Sequence, residues 1–141
     1  MVMNPMYLDY NATTPLDPKV IEAIRPFLEG HFGNPSSSHS YGVFARNAVE
    51  NARAQVASLL HCSPEEVIFT SGGTESNNTA IRGLAFARRD RGNHIITARI
   101  EHPAVLEVCA CLEKQGFEVT YLPVDAFGMV SAADVEKAVT P

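Results

Sequence analysis

From residue 67 onward, short apolar runs alternate with longer stretches in which apolar residues recur every three or four positions. Val67, Ile68 and Phe69, a β-branched pair and an aromatic, predict a strand over 67–70. Thr74, Glu75 and Ser76, followed by Ile81, Leu84 and Ala85, predict a helix over 75–88 with one buried stripe. His94 to Thr97 predicts the next strand, Pro103 to Gln115 a helix closed by Gly116, and Glu118 to Val124 a third strand. A turn at 125–128 leads into a last helix, at whose start Ser131 and Asp134 have the spacing of a capping box. The order β-α-β-α-β-α predicts an α/β fold with a mainly parallel sheet flanked by helices. The strand cores "VIF" and "HII" are apolar at consecutive positions, as suits strands covered on both faces.

The first half carries longer helical periods. Asp17-Pro18 opens a helix with the stripe Val20, Ile21, Ile24, Phe27 and Leu28, and Gly30 ends it. "GNPSSSHSYG", residues 33–42, is a polar loop of turn formers. A longer helix follows, with Phe44, Ala48, Ala52, Val56 and Leu59 on one face, and Ser63-Pro64-Glu65-Glu66 turns the chain into the strand at 67.

The stretch "VIFTSGGTESNN", residues 67–78, therefore reads as strand, glycine turn and helix start. The first N–H groups of a helix lack internal partners, and the macrodipole adds positive character there, so the turn is a candidate anion site. Gly72 and Gly73 allow close approach of backbone to an oxyanion, and the Ser71 and Thr74 hydroxyls can donate to it. A phosphate is the expected ligand. The Walker spacing with its lysine is missing, and so is G-x-G-x-x-G. Ligands in parallel sheets sit beyond the carboxyl ends of the strands, and "TARIEHPAV" places His102 on the same rim as the glycine turn. Taken alone, His102 reads more readily as a helix-start or surface histidine; beside an anion turn it becomes a candidate for ring stacking or proton handling. Asn11 in "LDYNATTP" and His39 in the serine-rich loop read, by themselves, as loop residues.

Composition narrows the classes. The chain has 141 residues, 45% apolar and 19% charged, which suits a globular domain. No apolar run approaches the roughly 20 residues that span a bilayer, and the first residues lack the pattern of a secretory leader, so no membrane partner and a cytoplasmic location are expected. The net charge of −5 and the isolated Arg88-Arg89-Asp90-Arg91 run argue against nucleic acid as a partner. Cys62, Cys109 and Cys111 form no metal pattern; structural thiols in a reducing compartment are expected, with Cys109 in an apolar stripe, and no metal.

Five segments, "YLDYNATTPLDPKV", "FGNPSSSHSYG", "VIFTSGGTESNN", "IEHPAVLE" and "VTYLPVDAFGMVSAADVEKAVTP", occur in that order and cover Tyr7 to Pro141. Together they closely resemble the N-terminal part of the cysteine desulfurases, with selenocysteine lyase a near relative, among the class V aminotransferases of pyridoxal 5′-phosphate (PLP) fold type I. The resemblance implies residues 1–15 as an N-terminal active-site segment and 16–141 as an incomplete PLP-binding large domain. It implies that Gly73 and Thr74 hold the PLP phosphate, that His102 stacks on the pyridine ring and helps move protons, and that Asn11 and His39 lie at the substrate side and mouth of the pocket. The family often has alanine where Gly73 stands, a change that leaves the N–H in place.

The resemblance further implies L-cysteine as substrate, L-alanine and a protein persulfide as products, a sulfur acceptor such as an iron–sulfur scaffold protein, and a homodimer at full length. The family's Schiff-base lysine and persulfide cysteine fall beyond the matching segments. Lys19, Lys114 and Lys137, like the three cysteines, occupy no corresponding motif. The chain thus reads as the N-terminal piece of a larger protein, inactive as a desulfurase by itself. The alternatives are a non-catalytic module that binds a phosphate ligand or associates with a full-length relative, and selenocysteine lyase within the same family.

Overall fold

The computed structural model describes residues 6–140; residues 1–5 of the expected N-terminal segment, and Pro141, lie outside the described residues. The chain forms two compact units that part between Ile68 and Phe69.

In the first unit, α1 (Pro18–Glu29) begins where Asp17 accepts the Lys19 N–H at 2.8 Å, with proline at the first position, where its missing N–H costs nothing. The helix is amphipathic as expected, yet it has no buried residue, and Val20, Ile21, Ile24 and Phe27 are all more than two-fifths exposed. Its main ring contacts run through Phe27 and His31 to Phe44, with His31 and Phe44 at 4.6 Å between centroids. The loop before α2 (Ser40–Leu60) folds so closely onto the helix's first turn that glycine is demanded there: a Cβ on Gly42 of α2 would lie 2.7 Å from the Asn34 carbonyl oxygen. α2 ends at His61, which takes the left-handed conformation (φ 55°) usually left to glycine, while the Cys62 N–H returns to the Ala57 carbonyl. A 3₁₀ turn (Pro64–Glu66) follows, and its Glu66 carboxylate accepts from the Ser63 N–H and hydroxyl.

The strand expected over 67–70 does not form. Val67 is extended (φ −93°, ψ 120°) and buried, but an extended segment becomes a strand only when a neighbour completes its ladder. The Val67 carbonyl instead accepts from the Arg53 guanidinium.

The second unit holds α3 (Gly73–Ala87), β1 (His94–Ala98), α4 (Pro103–Glu113), β2 (Glu118–Leu122) and α5 (Ala132–Ala138). Among the described residues the sheet has two strands rather than three, paired in parallel with His94 opposite Glu118 and Ala98 opposite Leu122. α4 is the crossover between them, as the alternation of elements predicts. The core gathers Val108, Leu112 and Phe117, with Ile81, Ala85 and Ile95 packed against it. Gly116 closes α4 at φ 86°, a conformation that favours glycine, and lets the Phe117 N–H reach the Leu112 carbonyl. Cys109 is buried beside this core, as its place in the stripe predicts. The capping box expected at Ser131 is not made: the Ser131 side chain forms no cap bond, and Asp134 turns to Lys137 at 3.7 Å.

Candidate functional site

The glycine turn lies entirely within the second unit, from Phe69 on. Gly72 is extended (φ 163°, ψ 179°) and stands as N-cap of α3, which starts at Gly73, two residues earlier than the periodicity predicts. The first helical bond runs from the Ser76 N–H to the Gly72 carbonyl at 3.0 Å. The N–H groups of Gly73, Thr74 and Glu75 precede it and have no intrahelical acceptor. A Cβ added to Gly72 or Gly73 would meet nothing within 4 Å, so the backbone here is open to a ligand. Unsatisfied donors, an open approach and the positive end of a 15-residue helix together give this turn the chemistry that suits an anion.

The turn is tied together by its own polar side chains. The Glu75 carboxylate accepts from the Ser71 N–H and from the Ser71 hydroxyl, both at 2.6 Å. These two bonds hold the Glu75 carboxyl below its ordinary pKa, the hydroxyl contributing more than the amide. The Thr70 and Ser76 hydroxyls meet at 2.6 Å, and the Ser76 hydroxyl donates to the Gly72 carbonyl at 3.1 Å. One expectation is corrected: the Ser71 hydroxyl is committed to Glu75 and does not stand as a donor for the anion.

His102 is the N-cap of α4. Its Nδ1 accepts the Ala104 N–H at 3.0 Å, and Pro103 occupies the first helical position. An imidazole that accepts at Nδ1 carries its hydrogen on Nε2, so the ring is fixed by backbone and keeps one N–H for other work. Thr74 and His102 line one cleft of about 350 Å³ together with Asn78 and Arg82 from α3 and Glu107 and Cys111 from α4. Thr74, Asn78 and Arg82 are spaced by four, one face of α3, and Asn78 also donates to the Thr74 carbonyl at 3.0 Å. Arg82 and Glu107 were not among the residues singled out from sequence, and Cys111 was expected only as a structural thiol, although that spacing alone puts Arg82 in line with Thr74. None of Lys19, Lys114 and Lys137 lines the cleft.

Asn11 and His39 belong to the first unit. Asn11 is exposed in a turn closed by the Ala12 N–H on the Asp9 carbonyl at 3.0 Å. His39 caps α2 as His102 caps α4, its Nδ1 accepting from the Gly42 N–H at 3.3 Å. The residues that the second unit brings together are thus Thr74 and His102, with Gly73 beside Thr74 in the chain. Among the described residues no cluster of His, Cys, Asp and Glu could hold a metal ion, and no helix is long and apolar enough to cross a membrane.

Comparison with known proteins gives a consistent set. The aminotransferase class-V family matches residues 6–141. Cysteine desulfurase IscS of Dictyoglomus turgidum is 57% identical over 133 residues, covering 94% of this chain and 34% of that protein. Human cysteine desulfurase is 50% identical over 141 residues, 99% of this chain and 31% of its own length. Among solved structures, a NifS-like protein superposes with a TM-score of 0.86 at 44% identity, covering 93% of this chain and 36% of that one. SspA in complex with cysteine superposes with the same TM-score at 46% identity, covering 96% of this chain and 39% of that one. The chain spans about a third of the length of the curated relatives it matches. On the match over residues 6–141, the chain belongs to the class-V aminotransferase family.

Proposed function

We propose that this chain supplies the phosphate-binding and ring-stacking part of a PLP-dependent cysteine desulfurase acting on L-cysteine. The single observation that carries the reading is that the open N-terminus of α3 at Thr74 and the cap histidine of α4, His102, line one cleft. Cysteine desulfurases at 50–57% identity and a structural neighbour in complex with cysteine support the substrate class.

The residues present fit PLP. The Gly73 and Thr74 N–H groups and the Thr74 hydroxyl hold the phosphate, with the α3 dipole favouring its dianion. The His102 imidazole, fixed by its bond from Ala104, would stack on the pyridine ring and present Nε2–H as the group that holds or passes a proton. Bound there, PLP supplies the electron sink that lets the bond to sulfur break. The net reaction balances as L-cysteine plus a protein thiol giving L-alanine plus a protein persulfide, so no outside oxidant or reductant is needed. A sulfur-accepting protein such as an iron–sulfur scaffold receives the persulfide sulfur, and in the complete enzyme Asn11 would serve the substrate side of the pocket and His39 its mouth. The lysine that tethers the cofactor comes from outside this chain; in the second unit, neither Lys114 nor Lys137 lines the cleft. A cytoplasmic homodimer is the working assembly.

The protein at its full natural length, incubated with PLP, L-cysteine and a thiol acceptor, is expected to release alanine and persulfide in equal amounts. Binding of PLP without any alanine release would contradict the desulfurase reading and favour a phosphate-ligand module.

A further inference from the structure

Gly72 and Gly73 carry no side chain by which packing could hold the turn's shape. Nothing lies within 4 Å of a Cβ built at Gly72 or Gly73, and adjacent glycines have the most backbone freedom to lose on ordering. Its conformation therefore depends on polar ties, and the strongest joins Ser71, before the glycines, to Glu75, after them. We propose that Glu75 is a positioning residue: by gripping Ser71 at both N–H and hydroxyl it holds residues 72–74 in the open form that receives a phosphate. This inference rests on the reading of the α3 start as the PLP-phosphate turn.

Three observations support it. Both bonds are short, at 2.6 Å, and converge on one carboxylate oxygen, as charge-assisted bonds do. The depressed pKa of Glu75 means that the ionised form is the one that grips. A loose carboxylate in the first turn would compete with an incoming phosphate for the same helix end, whereas one bonded twice to Ser71 has its charge committed. The Thr70–Ser76 contact and the Ser76 bond to the Gly72 carbonyl form a second clasp beside it, so removal of Glu75 should loosen the turn without melting α3.

The test compares PLP with pyridoxal, which lacks the phosphate, binding to the protein at its full natural length. Glu75→Ala is expected to weaken PLP about tenfold through lost preorganisation and to leave pyridoxal affinity unchanged. Glu75→Gln, whose uncharged amide oxygen can still accept from Ser71, is expected to recover part of the loss. Ser71→Ala, which leaves α3 untouched, should give a smaller loss of the same kind. In the cofactor-free protein, exchange of the Ser71 amide, which donates to Glu75, should quicken in Glu75→Ala. Gly73→Pro serves as the control, because proline suits the first helical position and removes one donor. Should Glu75→Ala bind PLP as wild type does while Gly73→Pro weakens it, the positioning role is wrong and the phosphate turn stands. Should Glu75→Ala weaken PLP and pyridoxal alike, the positioning role is also wrong. Should Glu75→Ala and Gly73→Pro both leave PLP affinity unchanged, the phosphate turn itself is wrong.

Discussion

The Nδ1 of His102 accepts the N–H of Ala104 at 3.0 Å, so the imidazole that faces the cleft is also the cap of α4. The two jobs can be separated by substitution. His102→Ala removes cap and ring together and should cost about 1 kcal/mol of stability. His102→Asn keeps a capping acceptor and should lie within about half a kcal/mol of wild type, while losing the ring. Denaturant melts and the visible spectrum of bound cofactor check this. An asparagine variant that binds and turns over as wild type does would show that His102 is only a cap.

Cys109 is 1% exposed, and its burial, with Glu113 and Glu101 adding to it, pushes the thiol pKa up. It should stay protonated and unreactive at neutral pH, whereas Cys62 and Cys111 are partly exposed. Timed alkylation of the native protein, read by peptide mass spectrometry, should modify Cys62 and Cys111 first. Equal rates at all three sites would mean that the α4 core opens readily.

The Glu66 carboxyl is held below its ordinary pKa by the Ser63 amide and then by the Ser63 hydroxyl. A carboxyl depressed on folding stabilises the folded state above its unfolded pKa of about 4.3, and that contribution is lost as pH falls through the folded value. Wild type should therefore lose more stability than Glu66→Gln when pH is lowered from neutrality to the acid side of this window. Thermal midpoints across pH decide it, and parallel curves for the two proteins would rule it out.

What could be read from sequence was local. Gly72-Gly73 followed by Thr-Glu-Ser marks a helix start within a few residues, and His102-Pro103 does the same for α4; both lie at helix starts in the structure. Val67 to Thr70 has the composition of a strand, but strand formation depends on a neighbouring strand that no local pattern supplies, and no strand forms over these residues. Ser131 and Asp134 have the right spacing for a cap, yet Lys137 one turn on offers Asp134 a competing partner. The reach of Glu75 back to Ser71 was missed because a carboxylate in a first turn satisfies the dipole rule without needing a partner. The cleft was half legible: Thr74 and His102 were read from motifs, while Arg82 and Cys111 enter only through the packing of α3 on α4.

The phosphorus resonance of bound PLP reports most directly on whether the α3 amides hold the phosphate. A phosphate gripped by the Gly73 and Thr74 N–H groups stays a dianion, so its shift should hold constant across the region near pH 6 where a free phosphate ester takes up a proton. A resonance that titrates as the free cofactor does would show that the phosphate sits in solvent, away from this helix end.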